Sequence, residues 1–466
     1  MNNRDQYKGI LRFWASAILM MLQTGIYTYA WFNWYADAGL DYFFRGNYVV
    51  IGLYALISFF FMKAFGCFQI GKVKTGETIF TQILSTLCVN AVTHLQLCLI
   101  GVWRLTENLA PILYMTAADI VLVILWAILV TWVFAKLYPP RAILMIYGER
   151  EAVNLLRKMK IREDKYDVRE SISCNVDWDI LTAKIDQYGA VLMADISSDI
   201  RNKILKYCFN NHIRCYAVPK ISDIMIMSAE KIQISDTALL LFRNQGLSAG
   251  QRCIKRIFDI VVGVIAVIIA SPVMLVIAIA IKLCDGGPVF FTQDRLTQDG
   301  KVFKLYKFRS MYVNRENTEY CLTREHDKRV TPVGKIIRNI HFDELPQIFN
   351  ILKGDMSFVG PRPECPGLAE EYQQIVPEFD FRLKMKAGLT GYAQVYGKYN
   401  TTPLDKLKLD MEYIERYNFL LDLKLILLTV KILFQKENTE GIKEWQTTAA
   451  TEDNLEKIGK QKQENL

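Results

Sequence analysis

The chain has only four histidines in 466 residues, and its ten cysteines are scattered, with no C-x-x-C pair and no regular spacing. A zinc site needs clustered Cys or His ligands, so zinc chemistry is excluded. Nor is there a spaced cysteine framework of the kind that staples small secreted folds. The thiols read as reduced and mostly buried, facing cytosol or membrane. No RNA- or DNA-binding motif and no internal repeat is present. No small-residue cleavage site follows the first apolar run, which argues against a cleaved signal peptide.

What is abundant is apolar sequence. Hydrophobic residues make up 52% of the chain, a high share for a soluble protein, and the length allows two or three domains. The net charge is +8. Its basic residues sit at the edges of apolar runs and among phosphate-binding candidates, which fits a membrane surface and an anionic substrate rather than nucleic acid. Four apolar segments, near 10–32, 49–70, 79–101 and 112–137, each approach the roughly 20 residues needed to cross a bilayer. Several of Trp14, Trp31, Trp34, Trp103, Trp126 and Trp132 suit an interfacial belt. Arg4, Lys8 and Arg12 precede the first span; Lys63, Lys72 and Lys74 flank the loop between the second and third; Lys136 and Arg141 follow the fourth. The outer loops carry chiefly Arg45 and Arg104, so the positive-inside rule places both ends of this block, residues 1–138, in the cytoplasm.

Pro139-Pro140 closes the block, and residues 139–250 follow as an α/β domain with a parallel sheet. Strand-like runs lie at 142–148, 190–194 and 213–218, with a helical run to Met159 after the first. The first turn, Tyr147-Gly148-Glu149-Arg150-Glu151-Ala152, lacks G-x-G-x-x-G and has acids where a pyrophosphate would need open backbone. A structural or regulatory role is the better expectation. A fifth apolar run, 257–281, has Asp259 near its start and Ser271-Pro272 within it. Its length suits a crossing, but Lys255 and Arg256 precede it, and Lys282, Arg295, Lys301, Lys304, Lys307 and Arg309 follow. Both flanks therefore read as cytoplasmic. A mid-run proline removes a helix bond and kinks the chain. A helix that dips into the membrane and returns fits both facts, with the Ser271 hydroxyl a candidate partner for the freed backbone. On these data alone an ordinary kinked span remains the other reading.

Residues 285–435 form a compact polar domain, which with the fifth apolar run makes up a domain of residues 251–435, and the tail, 436–466, is rich in Lys, Glu, Gln, Asn and Thr and reads as flexible. A strand over 302–311 would put Lys307 and Arg309 on one face, able to hold a diphosphate or lipid head groups, and Lys304 on the other. A solvated basic edge explains the same pattern. The stretch His341-Phe342-Asp343-Glu344-Leu345-Pro346-Gln347 sets two acids side by side, with Arg338 upstream and an apolar helical run, 348–352, downstream. Asp343 can cap that helix, with Pro346 in its first turn. In isolation the stretch also fits an acidic cap with a surface ion pair. Pro361 and Pro363 fix the backbone around Arg362, presenting a guanidinium suited to bidentate anion recognition; a turn with an incidental arginine is the plainer reading. Gly388-Leu389-Thr390-Gly391 marks a turn into a strand, and residues 410–417 and 420–433 read as amphipathic helices on the membrane surface.

The ordered set resembles the bacterial sugar transferases, or polyprenyl-phosphate glycosylphosphotransferases, of the large monotopic type. The resemblance covers residues 255–433. It rests on Lys255-Arg256 with Phe258-Asp259, Ser271-Pro272, Lys307-Phe308-Arg309-Ser310-Met311, Arg338 with Asp343-Glu344-Leu345-Pro346-Gln347, and Val359-Gly360-Pro361-Arg362-Pro363. Thr297 and Ala387 stand where the family often has glycine and proline. The resemblance implies a membrane protein of mixed α and α/β class. Four transmembrane helices and a Rossmann-like α/β domain would precede a monotopic catalytic domain whose re-entrant helix breaks at Ser271-Pro272. It implies transfer of a sugar 1-phosphate from a UDP-sugar to undecaprenyl phosphate, with release of UMP, starting exopolysaccharide, capsule or O-antigen synthesis. Asp343 would be the nucleophile, Glu344 with Asp343 would bind Mg²⁺, Arg338 would hold phosphate, and Arg362 would contact the nucleotide end. The site would face the cytoplasm at the bacterial inner membrane, and the membrane block and α/β domain offer surfaces for a homodimer. Two other classes are weighed against this: a membrane scaffold or regulator of polysaccharide assembly without catalysis, and a glycosyltransferase that releases UDP.

Overall fold

The computed structural model describes residues 6–40, 45–100, 109–148, 153–160, 162–242, 246–312, 329–397 and 401–433. The tail 436–466, Arg104 and most of the 147–152 turn lie outside them. The chain divides into two compact units, residues 1–219 and 220–466.

The first unit begins with four long helices: α1 (Lys8–Ala30, continued as a π-helical stretch Trp31–Leu40), α2 (Gly46–Phe65), α3 (Thr75–Ile100) and α4 (Ala110–Leu137). Each is long and apolar enough to cross a membrane. Their outward faces are apolar, with Phe13, Met21, Tyr48, Leu56, Leu113, Leu125 and Trp132 all exposed. An α/β fold follows: β1 (Arg141–Tyr147), α5 (Val153–Lys160), β2 (Tyr166–Ser173), α6 (Trp178–Ile185), β3 (Ala190–Ala194), α7 (Ser198–Asn210) and β4 (Arg214–Ala217). The strands form one parallel sheet in the order β2-β1-β3-β4. β1 and β3 run through its middle, which is why they are apolar almost without alternation. Gly148 ends β1 where a Cβ would lie 2.0 Å from the Asp195 carbonyl oxygen. The glycine thus serves close packing of the chain on itself.

The second unit opens with α8 (Ile221–Ser228), which buries Ile224 against Val376, Phe379, Leu407 and Met411. An exposed hairpin follows, β5 (Glu230–Ile234) and β6 (Thr237–Leu241), and then α9 (Ala249–Asp285). A second hairpin, β7 (Phe290–Leu296) and β8 (Val302–Phe308), leads to α10 (Pro332–Asn339) and α11 (Gln347–Lys353). β9 (Met356–Val359), α12 (Pro366–Ile375), β10 (Ala387–Thr390), α13 (Tyr392–Tyr396), α14 (Pro403–Glu415) and α15 (Phe419–Leu433) complete the unit, with β9 and β10 parallel. Gly388 therefore sits in a strand that leads into a helix, the reverse of the expected order. Backbone approach explains it: a Cβ on Gly388 would lie 2.0 Å from the Gly360 nitrogen. α14 is a core helix rather than a surface one, with Leu407, Met411 and Tyr413 fully buried.

α9 packs along one stripe. Lys255, Asp259, Gly263, Met274, Ile277 and Ile281 are buried, three to eleven residues apart, with Val262 and Ala266 on the core of β8, β9 and α14, and Ala270 and Ala278 beside Phe308 and Ile337. The stripe continues on both sides of Pro272. From Lys255 to Ile281 it spans about 40 Å of helix at 1.5 Å per residue. The opposite face exposes Ile257, Val261, Ile265, Ile268, Leu275, Val276 and Leu283. α9 continues as a helix through Pro272, and the Ser271 hydroxyl donates to the Ile268 carbonyl oxygen at 2.9 Å. That carbonyl is the one left without its partner by a proline four residues on.

Polar side chains fix the first turns of α9. Lys255 Nζ lies 2.5 Å from Asp422 Oδ2, both buried, and donates to the Tyr413 hydroxyl at 3.2 Å. Tyr413 in turn donates to Asp422 Oδ1 at 2.7 Å. Arg256 donates to the Ile351 and Leu352 carbonyls, 2.7 Å each, at the C-terminal end of α11. Asp259 Oδ1 accepts from Ser357 Oγ and Phe358 N, 3.0 Å each, in β9. Removing one member of a buried pair leaves the other charge uncompensated. Lys255→Met is therefore expected to destabilise the unit by about 3–5 kcal/mol, and Lys255→Met with Asp422→Leu by clearly less. Thermal unfolding of the detergent-solubilised chain checks this; equal losses in the single and double variants would remove the ion pair from the account.

Candidate active site

The acid pair lies between α10 and α11 in a turn of its own. α10 ends at Asn339, and His341 turns the chain with φ 57°, in the left-handed region where a non-glycine residue is uncommon. A tight 3₁₀ turn, Phe342–Glu344, follows. Asp343 does not cap α11. The backbone has already satisfied the donors it would have met: Glu344 N bonds His341 O, Leu345 N bonds Phe342 O, Ile348 N bonds Leu345 O and Phe349 N bonds Pro346 O. Pro346 occupies the position just before α11.

The two carboxylates differ sharply. Glu344 Oε1 accepts from Lys307 Nζ at 2.8 Å and from an Arg362 nitrogen at 3.0 Å, and only 13% of its side chain is exposed. Burial alone would raise its carboxyl, but Lys307 and Arg362 outweigh burial and hold it well below the usual carboxylate range. Asp343 is half-buried, and among the described residues nothing hydrogen-bonds or ion-pairs its carboxylate. Burial raises its carboxyl above the ordinary aspartate range; Lys307 opposes this, Glu344 adds to it, and Arg338 opposes it. Arg338, in the last turn of α10, is thus close enough for its charge to reach Asp343.

Three contacts set this geometry. Asn350 of α11, fully buried, accepts from Tyr306 N at 2.9 Å and donates to the Lys304 carbonyl at 2.8 Å. It pairs with β8 as a neighbouring strand would, and so fixes Lys307 relative to the acid pair. The loop of Pro361, Arg362 and Pro363 is held by more than proline. Four successive carbonyls accept hydrogen bonds: Pro361 from Gly388 N, Arg362 from an Arg382 nitrogen, Pro363 from Arg295 and Glu364 from Leu296 N, at 2.8–3.0 Å. Both prolines are buried while 45% of the Arg362 side chain remains exposed, beside a small open cleft that Leu296, Phe379 and Met385 help to line. Beneath the loop, Glu364 pairs with Arg382 at 3.2 Å and with Lys406, and Arg382 pairs with Asp410 at 2.7 Å. The third contact joins the two positions that depart from the family pattern. Thr297 Oγ1 donates to the Asp355 carbonyl at 2.7 Å and accepts from Ala387 N at 3.2 Å, both residues being buried.

The expected pairing of Lys307 with Arg309 does not occur. β8 stops at Phe308, and Arg309 turns back to an ion pair with Asp285 at the end of α9. Asp285 thus draws Arg309 away from Lys307, which pairs with Glu344 instead. Glu364, Arg382, Lys406 and Asp410 escaped sequence reasoning; only the position of Glu364, directly after the Pro-Arg-Pro stretch, hinted at a role. Among the described residues no cluster of three or more acidic, histidine or cysteine side chains forms. Asp343 and Glu344 are two neighbouring carboxylates of the oxygen-donor type that suits Mg²⁺, with Glu344 Oε1 already engaged by Lys307 and Arg362.

A family model described as bacterial sugar transferase matches residues 250–436. A Caulobacter vibrioides UDP-glucose:undecaprenyl-phosphate glucose-1-phosphate transferase is 36% identical over 189 residues, 40% of this chain and 71% of the relative. The chain belongs to the bacterial sugar transferase family. An Escherichia coli (strain K12) protein of the same name as the Caulobacter transferase is 37% identical over 218 residues, 46% of this chain and 47% of that protein. An Aeromonas hydrophila UDP-N-acetylgalactosamine-undecaprenyl-phosphate N-acetylgalactosaminephosphotransferase is 34% identical over 269 residues, 55% and 62% of the two chains. The matched region thus spans about half the length of the first of these longer relatives. It contains every element that builds the site of this bacterial sugar transferase.

The Glu364 carboxyl is lowered to about 2: burial pushes it up, and Lys406 and Arg382 overcome that. A depressed folded-state value contributes stability that is complete above the unfolded value, near 4.5, and is lost as pH falls towards 2. Glu364→Gln should cost about 2–3 kcal/mol at pH 7, and the gap to the wild type should close between pH 5 and pH 2. Urea unfolding at a series of pH values measures this; a gap independent of pH would contradict the charge assignment.

Proposed function

We propose that the protein transfers a sugar 1-phosphate from a UDP-sugar to undecaprenyl phosphate, releasing UMP, as the first step of a cell-surface polysaccharide. The observation that carries this is the asymmetry of the acid pair: Glu344 is held by two cations while Asp343 is left open beside them. An open carboxylate next to a compensated one is what a nucleophile needs, since the neighbouring anion no longer repels an incoming diphosphate. In the first step an Asp343 oxygen attacks the phosphorus that bears the sugar. The bond from that phosphorus to the bridging oxygen breaks, and UMP leaves with the electron pair. In the second step an oxygen of undecaprenyl phosphate attacks the same phosphorus, the Asp343 ester bond breaks, and the polyprenyl diphosphate sugar departs. Lys307 and Arg338 offset charge around the reacting phosphate, and Arg362 holds the nucleotide end against the cleft. When bound by Asp343, Glu344 and substrate oxygens, Mg²⁺ would stabilise charge on the leaving UMP.

The bundle α1–α4 anchors the chain in the bacterial cytoplasmic membrane, and α9 lies in the cytoplasmic leaflet as a re-entrant element. Its support is the stripe from Lys255 to Ile281, which keeps both halves of α9 on one domain; a crossing helix would carry its far half a bilayer's thickness away. The relatives' names agree in naming undecaprenyl phosphate as acceptor.

Purified protein in detergent with Mg²⁺, undecaprenyl phosphate and a panel of UDP-sugars should release UMP. Asp343→Asn should abolish release, and Glu344→Gln or Lys307→Met should lower kcat by about 10²–10³-fold. Release of UDP in place of UMP, or wild-type turnover by Asp343→Asn, would falsify the proposal. Because the Asp343 carboxyl is raised, the acid limb of kcat/KM should lie above the ordinary aspartate range.

A further inference from the structure

The interior of the α1–α4 bundle is polar where a bilayer-embedded core is ordinarily apolar. α3 turns Thr78, Gln82, Ser85, Thr86, Asn90 and Thr93 inward, all buried. Gln23 of α1 donates to Thr86 Oγ1 at 3.0 Å. Asp119 of α4 is 0% exposed, and its Oδ2 accepts from Asn90 Nδ2 at 3.1 Å. Asn90 Nδ2 also donates to Thr116 Oγ1 at 3.0 Å, and the Tyr54 hydroxyl donates to Asn90 Oδ1 at 3.3 Å. An apolar cluster around Trp31, Val50 and Leu97 reaches into this stretch through Tyr27, Tyr54, Val89 and Met115, and a second, around Ala15, Ile70, Val130 and Phe134, lies towards its other end.

Asp119 Oδ1 is buried without a partner, and so are Gln23 Oε1, Gln82 Oε1, Ser85 Oγ and Thr93 Oγ1. All are oxygens that can accept a hydrogen bond or ligate a hard cation. Buried polar atoms are ordinarily paired, with water where protein does not reach. An ionised carboxylate at membrane depth needs a compensating charge. Among the described residues no Lys, Arg or His ion-pairs with Asp119. The titratable groups that face it are Tyr54 of α2 and, stacked on Tyr54 at 4.2 Å, Tyr27 of α1; His94 of α3, bonded to Cys98, lies one turn beyond Asn90. α4 adds no other acid or base there.

We propose that this compartment is a hydrated internal site that takes up one monovalent positive charge at Asp119, as a proton or as an alkali cation. A single carboxylate sets the valence: one positive charge neutralises it, and a divalent ion would leave excess charge in a low-dielectric core. The side chains of Asn90 and Tyr54 beside it complete the shell with water.

The test uses the full chain in lipid nanodiscs. Infrared spectra at neutral pH, with ¹³C-labelled aspartate, should show a protonated carboxylic acid that disappears in Asp119→Asn and shifts in Asn90→Ala if the charge is a proton. If it is an alkali cation, lithium, sodium or potassium should raise the unfolding midpoint by about 3 °C per decade of concentration at constant ionic strength against N-methylglucamine, and Asp119→Asn should be flat. Should either variant fail to assemble, the wild type decides through the same two measurements. An ionised Asp119 with no cation-specific stabilisation, or a protonated band that survives Asp119→Asn, overturns the proposal.

Discussion

The polar grip at the start of α9 is the contact on which the site depends. Lys255, Arg256 and Asp259 lie within about one helical turn, yet each holds a different element. Lys255 reaches α15 and α14, Arg256 the end of α11, and Asp259 the backbone of β9. α11 begins just after the acid pair, and β9 ends just before Gly360 and the arginine loop. The apolar helix is therefore tied directly to the two elements that flank Glu344 and Arg362 in the chain. Burial of charged side chains is costly unless they are paired, and here the partners are supplied by the elements that must be registered to one another.

Charge at the site is arranged in tiers. Glu344 draws Lys307 and Arg362 together, Arg382 supports the Arg362 backbone, and Glu364, Asp410 and Lys406 surround Arg382. Arg382, Glu364 and Asp410 lie deepest, and Lys406 reaches back towards the surface. The exposed side of Arg362 is thus backed by a rigid, nearly neutral stack, and the open carboxylate of Asp343 is the group that stack leaves without a protein partner.

Much of this was legible in the sequence where the signal is local. The four long helices, the buried strands β1 and β3, and the Ser271 hydroxyl answering Pro272 all follow from runs and from what proline removes. What could not be read depended on partners distant along the chain. Lys307 and Arg309 alternate as a strand should, but Asp285 claims Arg309, and no strand period carries that information. Asp343 has the composition of a helix cap, yet a left-handed His341 lets the backbone satisfy itself first. β2, with its polar alternation at a sheet edge, and α8, whose burial is decided by Phe379 and Met411, offered no local pattern to read. The difference in surroundings between the two acids likewise needed the positions of Lys307 and Arg362.

The bond between Thr297 and Ala387 constrains how this chain can change. A proline at 387 would have no N–H to give, leaving the threonine hydroxyl short of a donor; a glycine at 297 would strand a buried amide hydrogen. Either replacement alone removes one half of this bond beside the cleft, while a glycine at 297 also takes from the Asp355 carbonyl the hydroxyl that donates to it. Positions 297, 355 and 387 are therefore coupled, and a change at one of them alters what the other two require.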